Sequence, residues 1–215
     1  PYGDSSAALL RLGALPVEAV QADLVRGTLP IEAHDSGALA RAFEGTQLVA
    51  DVVDGRNIWR TDLRKAFGTA EALQSSGIDV VIGTSNNLQH VPHDVNDETK
   101  LDERLKSWLA FADQKVEQAA ILARGLTEGA AAIEGELAAA DRVLADRAAA
   151  PGVRADGIRD RASAVAEADR SRADEGDRRE AQRALGIPSL ATTTIGSFPQ
   201  TTEIRKARAA FTRGE

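Results

Sequence analysis

Cysteine and methionine are both missing from the 215 residues. Without a thiol, disulfides and any cysteine-ligated metal site are excluded within the chain, and the composition suits the cytoplasm, its expected location. Methionine is absent even at position 1, which implies a removed initiator or a sequence cut from something longer. Aromatic residues make up only 4%. Positive charge is in deficit, with 26 Lys and Arg against 33 Asp and Glu, a formal net charge of −7 and an isoelectric point near 5.1. That balance gives no electrostatic footprint for nucleic acid or an anionic membrane, so small molecules or proteins are the expected partners. No apolar run approaches a membrane span, and the opening PYGDSSAALLRL lacks the basic and apolar regions of a signal peptide.

What is present suits a soluble globular chain: 43% hydrophobic and 27% charged residues, enough for one large domain or two small ones. From residue 1 to about 97, short apolar runs alternate with amphipathic segments, the pattern of repeated βα units and a parallel sheet. Ser5 or Ser6 is placed to cap a helix over Ala7 to Leu12, followed by a strand over about Val17 to Val25. Asp35 is placed to cap a helix through Phe43, and TQLVADVVDG reads as the next strand. Thr61 is placed to cap a third helix with Leu63, Ala66, Phe67, Ala70 and Leu73 on one face, and GIDVVIGTS follows as a strand. An eight-fold barrel takes roughly 250 residues. Three units therefore read as the last part of a barrel or half of an open sheet.

From Asp102 the period becomes that of one long helix, with Leu101, Leu105, Trp108, Leu109, Ala112, Val116, Ala119, Ala123 and Leu126 on a stripe. A second helix carries Ile133, Leu137, Ala140, Leu144 and Ala148, with Gly125 and Gly129 marking the turn between them. Pro151 and Gly152 end that pattern, and residues 153–180, dominated by Arg, Asp, Glu and Ala, read as a solvated helix or linker. Gly186 and Pro188 stop a further helix. LATTTIGSFPQT, Leu190 to Thr201, then reads as a strand entering a Gly-Ser turn, with a basic amphipathic helix after it.

Three stretches carry side chains with chemistry. In HVPHDV, His90, His93 and Asp94 form a set that in principle binds a divalent metal, but Pro92 keeps a regular helix from placing both rings on one face, and the plainer reading is a loop after a strand. In VVDGRNIWRTDL, Asp54, Arg56 and Asn57 follow a strand and would sit on the active face of a parallel barrel; the plainer reading is a turn at Asp54 and Gly55 with Arg56 paired to a carboxylate. In TTTIGSFPQT, Gly196 allows close approach of a ligand to backbone and Ser197 offers a hydroxyl and an amide, features suited to a small carboxylate or amine.

TTTIGSFPQTTEIRKAR resembles the opening of the C-terminal barrel of cobalamin-independent methionine synthases, and VVDGRNIWRTDL and LQHVPHDVNDETKLDERLKSWLAFADQKVEQ, in the same order, resemble the end of that family's N-terminal barrel and the segment after it. The resemblance implies an α/β fold of TIM-type (β/α)8 barrels, divided as 1–97, the C-terminal part of an N-terminal barrel, 98–186, a helical interdomain segment, and 187–215, the start of a C-terminal catalytic barrel. It further implies part of an enzyme moving a methyl group from 5-methyltetrahydropteroyltriglutamate to L-homocysteine to make methionine.

Carried over residue by residue, the family's homocysteine contacts fall on Ile195, Gly196 and Ser197. The family's zinc is held by His, Cys and Glu side chains that the resemblance places outside these residues, so the chain alone is expected to be inactive and metal-free. TSNNLQ, before HVP, departs from the family's expected loop and weakens any substrate role for Ser85 or Asn86. Incomplete barrel edges favour self-association. The alternative class is a stand-alone helical scaffold or interaction module built on residues 98–185.

Overall fold

The computed structural model of the protein describes residues 6–27, 36–166, 174–197 and 199–215. The chain divides into two compact units, Pro1–Ala155 and Asp156–Glu215.

In the first unit three strands, β1 (Ala19–Asp23), β2 (Gln47–Val53) and β3 (Val80–Thr84), form one parallel sheet in the order β1-β2-β3. Helices α1 (Ser6–Gly13), α2 (Ser36–Ala42) and α3 (Leu63–Ser75) alternate with them, as expected of parallel strands, which need crossover connections. Each strand is shorter than its apolar run, because the ends of the runs turn into loops instead of pairing. Strand side chains alternate between the two faces. Val20, Ala22, Leu48, Ala50 and Val52 join one core with Leu9, Leu39, Phe43 and the buried face of α3. That face is the predicted set, Leu63, Ala66, Phe67, Ala70 and Leu73. Gln21, Val49, Asp51, Val81 and Gly83 lie at the intervening positions, in register with one another.

The cap of α3 is Asp62, not the predicted Thr61: the Asp62 carboxylate accepts from Lys65 N at 2.9 Å, satisfying an amide that the first helical turn leaves open. The proposed caps Ser5 and Asp35 lie outside the described residues.

The predicted single helix from Asp102 is two. Asp102 caps α4 (Glu103–Trp108), and α5 (Ala112–Glu128) begins after a break. The break exists because the backbone at 108–110 pairs elsewhere. Ala110 N donates to Ile58 O at 2.8 Å, Arg60 N donates to Trp108 O at 2.9 Å, and Trp59 and Leu109 form an antiparallel bridge. Leu109 and Phe111 are thereby placed in a small second core with Val95, Trp59 and Leu101.

The buried face of α5 also differs from the predicted stripe. It is Lys115, Gln118, Leu122 and Gly125, while Val116 is 57% exposed. Gly125 is required here by close packing: a Cβ would meet Ile133 Cδ1 at 2.5 Å and Phe67 Cε2 at 2.7 Å. Gly129, at φ 92°, makes the turn into a 3-10 segment (Ala130–Ile133) and α6 (Glu134–Ala149). Of the predicted α6 stripe, Ile133, Leu137 and Ala140 are buried in the same core as the sheet.

The second unit contains α7 (Asp156–Ser163), α8 (Glu175–Arg183) and α9 (Thr202–Arg213). Gly186 adopts φ 61° where a stop was expected, and Thr201 caps α9. No strand forms at 190–197, against expectation. Residues 191–194 take no regular structure, and Leu190 and Ile195 are 90% and 109% exposed. An apolar alternation becomes a strand only when a neighbouring backbone takes its N–H and C=O groups, and among the described residues none does so.

Candidate functional site

The loops that leave the C-terminal ends of β1, β2 and β3 converge on one polar network. A shift in register between Asp51 and Val53 brings Thr84 opposite Val53 and ends the ladder at Asp54 and Ser85. Arg26, from the loop after β1, donates through Nη2 to both Asp54 carboxylate oxygens, at 3.1 and 3.0 Å, and through Nη1 to Ser85 Oγ at 3.1 Å. Asp54 also accepts from Arg56 N at 2.8 Å and Asn57 Nδ2 at 2.7 Å. Fully buried Ser85 accepts from Gly55 N at 3.2 Å. One ion pair and one hydroxyl thus tie all three strand ends together.

Burial opposes the charged form of Asp54, yet the Arg56 amide and the Arg26 guanidinium outweigh it and hold the carboxyl below its ordinary range. The carboxylate is saturated with donors, so its role is to shape the 54–60 loop. Asp54 and Asn57 are therefore brought together. Arg56 joins through its backbone, and its side chain is not among the donors to Asp54.

Asp51 sits one step inside the sheet, 2% exposed, and accepts from Gln21 Nε2 at 2.9 and 3.0 Å. Burial pushes its carboxyl up to about 6, the Gln21 hydrogen bond opposes this, and Asp23 adds to it. A carboxyl raised in the fold stabilises it below its unfolded value of about 3.9, and that contribution is lost as pH rises through 6. Asp51→Asn is therefore expected to be more stable than wild type at pH 7.5 and to lose that advantage at pH 4. Urea midpoints at the two pH values check this; an equal difference at both would contradict it.

On the other side of the loop, Lys115 of α5 is completely buried. Its Nζ lies 3.4 Å from Asn57 Oδ1 and 3.3 Å from Trp59 O. The guanidinium of Arg147, from α6, stacks on the Trp59 ring at 3.7 Å. A cavity of about 200 Å³ opens beside the loop, lined among others by Val52, Asp54, Asn57, Trp59, Arg60 and Lys65.

His90 and His93 do not form a metal site with Asp94. The Asp94 carboxylate accepts from Asn96 N at 2.9 Å and Gln114 Nε2 at 2.7 Å, and His93 Nε2 points toward Asp113 at 3.7 Å. Among the described residues, no three His, Cys, Asp or Glu side chains gather closely enough to hold a metal ion. Ile195, Gly196 and Ser197 lie in a bend of the second unit, exposed, with Thr194 Oγ1 donating to Gly196 O at 2.6 Å. A Cβ at Gly196 would meet nothing within 4 Å, so this surroundings alone does not demand glycine.

Two family profiles match the chain, one described as "Cobalamin-independent synthase, N-terminal domain" at residues 1–77 and one as "Cobalamin-independent synthase, Catalytic domain" at 190–215. The chain is related to the cobalamin-independent synthases. Relatives named 5-methyltetrahydropteroyltriglutamate--homocysteine methyltransferase cover all of it. The protein of Mycobacterium tuberculosis is 44% identical over 215 residues, that of Mycobacterium leprae 41% over 215, and that of Caulobacter vibrioides 44% over 218. The chain spans about 28% of the length of the two mycobacterial relatives and 27% of the Caulobacter one.

Sequence reasoning missed Arg26, Asp51 and Lys115. Arg26 is only the residue after a predicted strand, and Lys115 carries no apolar signal although Ala119 and Leu126 of the predicted stripe pack against the same core.

Proposed function

We propose that this chain is part of a methyltransferase that moves the methyl group of 5-methyltetrahydropteroyltriglutamate to the sulfur of L-homocysteine, giving L-methionine in the cytoplasm. One observation carries the reading: a single chain matches, in order, the N-terminal and catalytic profiles of one family, with 44% identity to a named methyltransferase across its full 215 residues. In this reading residues 1–97 are the later βα units of an N-terminal (β/α)8 barrel, 98–186 connect it onward, and 187–215 begin the catalytic barrel. Three parallel strands alternating with helices support the first assignment.

Ile195, Gly196 and Ser197 are proposed to receive the amino-acid end of homocysteine. Their exposure and the empty space beside Gly196 support this, since a ligand would have direct access to the backbone and to the Ser197 hydroxyl. The zinc that the resemblance implies does not fit these residues: the chain has no cysteine, and no described group of three donors is close enough. No step is therefore drawn through a metal here, and the 215 residues alone are expected to catalyse no transfer.

The test is transfer of labelled methyl from 5-methyltetrahydropteroyltriglutamate to homocysteine by the protein isolated from its natural source at its intact mass. Transfer is expected, and Ser197→Ala should raise KM for homocysteine about 10-fold, the loss of about 1.4 kcal/mol in one hydrogen bond, with a smaller change in kcat. Absence of transfer, or an unchanged KM, would overturn the proposal.

A further inference from the structure

Lys115 is a long, charged side chain with no exposed surface. Among the described residues no carboxylate lies within ion-pairing distance of its Nζ. Its acceptors are a neutral amide oxygen on Asn57 and the carbonyl of Trp59, at 3.4 and 3.3 Å, both beyond the usual range for a charge-assisted bond. A buried ammonium held only by two long, neutral contacts is costly, and losing its proton removes that cost.

Both acceptors belong to the 54–60 loop, which is already tied at its other end by Asp54 to Arg26 and Ser85. We infer that Lys115 is a proton-operated pin, which holds the 54–60 loop against α5 when charged and slackens that hold when neutral.

Charged groups stand on several of the elements around it. Asp54 favours the proton across the loop, but Arg26 neutralises Asp54. The cations on the same elements are Arg60, next to Trp59, Arg147, whose guanidinium covers the Trp59 ring, and Lys65 in the cavity wall. On its own helix, Asp113 is near His93 and Glu117 is exposed, so neither is a buried counter-charge. Burial dominates and brings the Lys115 amine down to about 8. The device rests on the burial and hydrogen-bond geometry of Lys115, with its lowered amine in support, and is independent of the methyltransferase proposal.

Two labels on the full 215-residue chain test it. Of the five lysines, followed by carbon-13 NMR at Cε from pH 7 to 11, one should titrate near pH 8. Incorporated 5-fluorotryptophan gives separate resonances for Trp59 and Trp108, and the Trp59 resonance should shift with the same midpoint while Trp108 stays still. Lys115→Arg, which keeps its charge, should abolish both titrations. The two wild-type signals decide the matter even if that variant does not fold. The absence of any lysine titrating near pH 8 would overturn the inference, and so would an early lysine that moves without Trp59.

Discussion

Gly55→Ala should cost about 3 kcal/mol of stability and dislodge the 54–60 loop. A Cβ at this position would meet Asn86 O at 2.4 Å, Asn86 N at 2.9 Å and Asn86 C at 3.0 Å. These are backbone atoms, so no rotamer change relieves the overlap, and the loops after β2 and β3 must separate. Separation breaks the Gly55 N to Ser85 Oγ bond, which together with Arg26 joins the strand ends. Urea unfolding measures the first effect. Loss of slow amide exchange at Gly55, with β2 still protected, would report the second; a variant as stable as wild type would show that the loop has room to give.

Leu122→Ala should cost about 3 kcal/mol, within the range for a large apolar side chain deleted from a packed core. Leu122 is fully buried on α5 and belongs to the same cluster as Leu48 of β2, Phe67 of α3 and Ile133 and Leu137 beyond the turn. The consequence to measure is cooperativity. Because one core spans the sheet and the two long helices, the variant should unfold residues 1–155 in one earlier transition. If hydrogen exchange showed α5 and α6 opening while the strands kept wild-type protection, the helices would be a separate folding unit.

The pH behaviour has two opposed parts. Asp51, raised, penalises the fold as pH rises through 6. Lys115, lowered, does the reverse: between about 8 and its unfolded value near 10.4 the unfolded chain binds the extra proton, so stability from this group rises with pH and is lost as pH falls through 8.

Legibility in the sequence followed how directly local chemistry selects a conformation. The α3 face was readable to the residue because five apolar positions at helical spacing have a single face to occupy. The same reading held only in part on α5, where Ala119 and Leu126 of the predicted stripe pack against the core but the fully buried positions are Lys115, Gln118, Leu122 and Gly125. A lysine, a glutamine and a glycine carry no apolar signal, and they are inside because of what lies opposite: Asn57 and Trp59, the Thr61 amide that donates to Gln118 Oε1 at 3.4 Å, and the Ile133 and Phe67 side chains against Gly125. The break before α5 is similar, since Leu109 and Ala110 leave the helix to pair with residues some fifty positions earlier.

By itself the sequence determined the alternation of helices and parallel strands over residues 1–97, the turns at Gly129 and Gly186, and the kinship with cobalamin-independent synthases, because periodicity, turn chemistry and motif order are local and survive without coordinates. Only the tertiary structure decided that Arg26, Asp54 and Ser85 close the strand ends, that Lys115 lies buried beneath their loop, and that residues 190–197 form no strand. Each of these depends on a partner distant in sequence: a charge to pair, a cavity to fill, or a neighbouring backbone to bond, and where that neighbour is missing an apolar alternation remains an exposed loop.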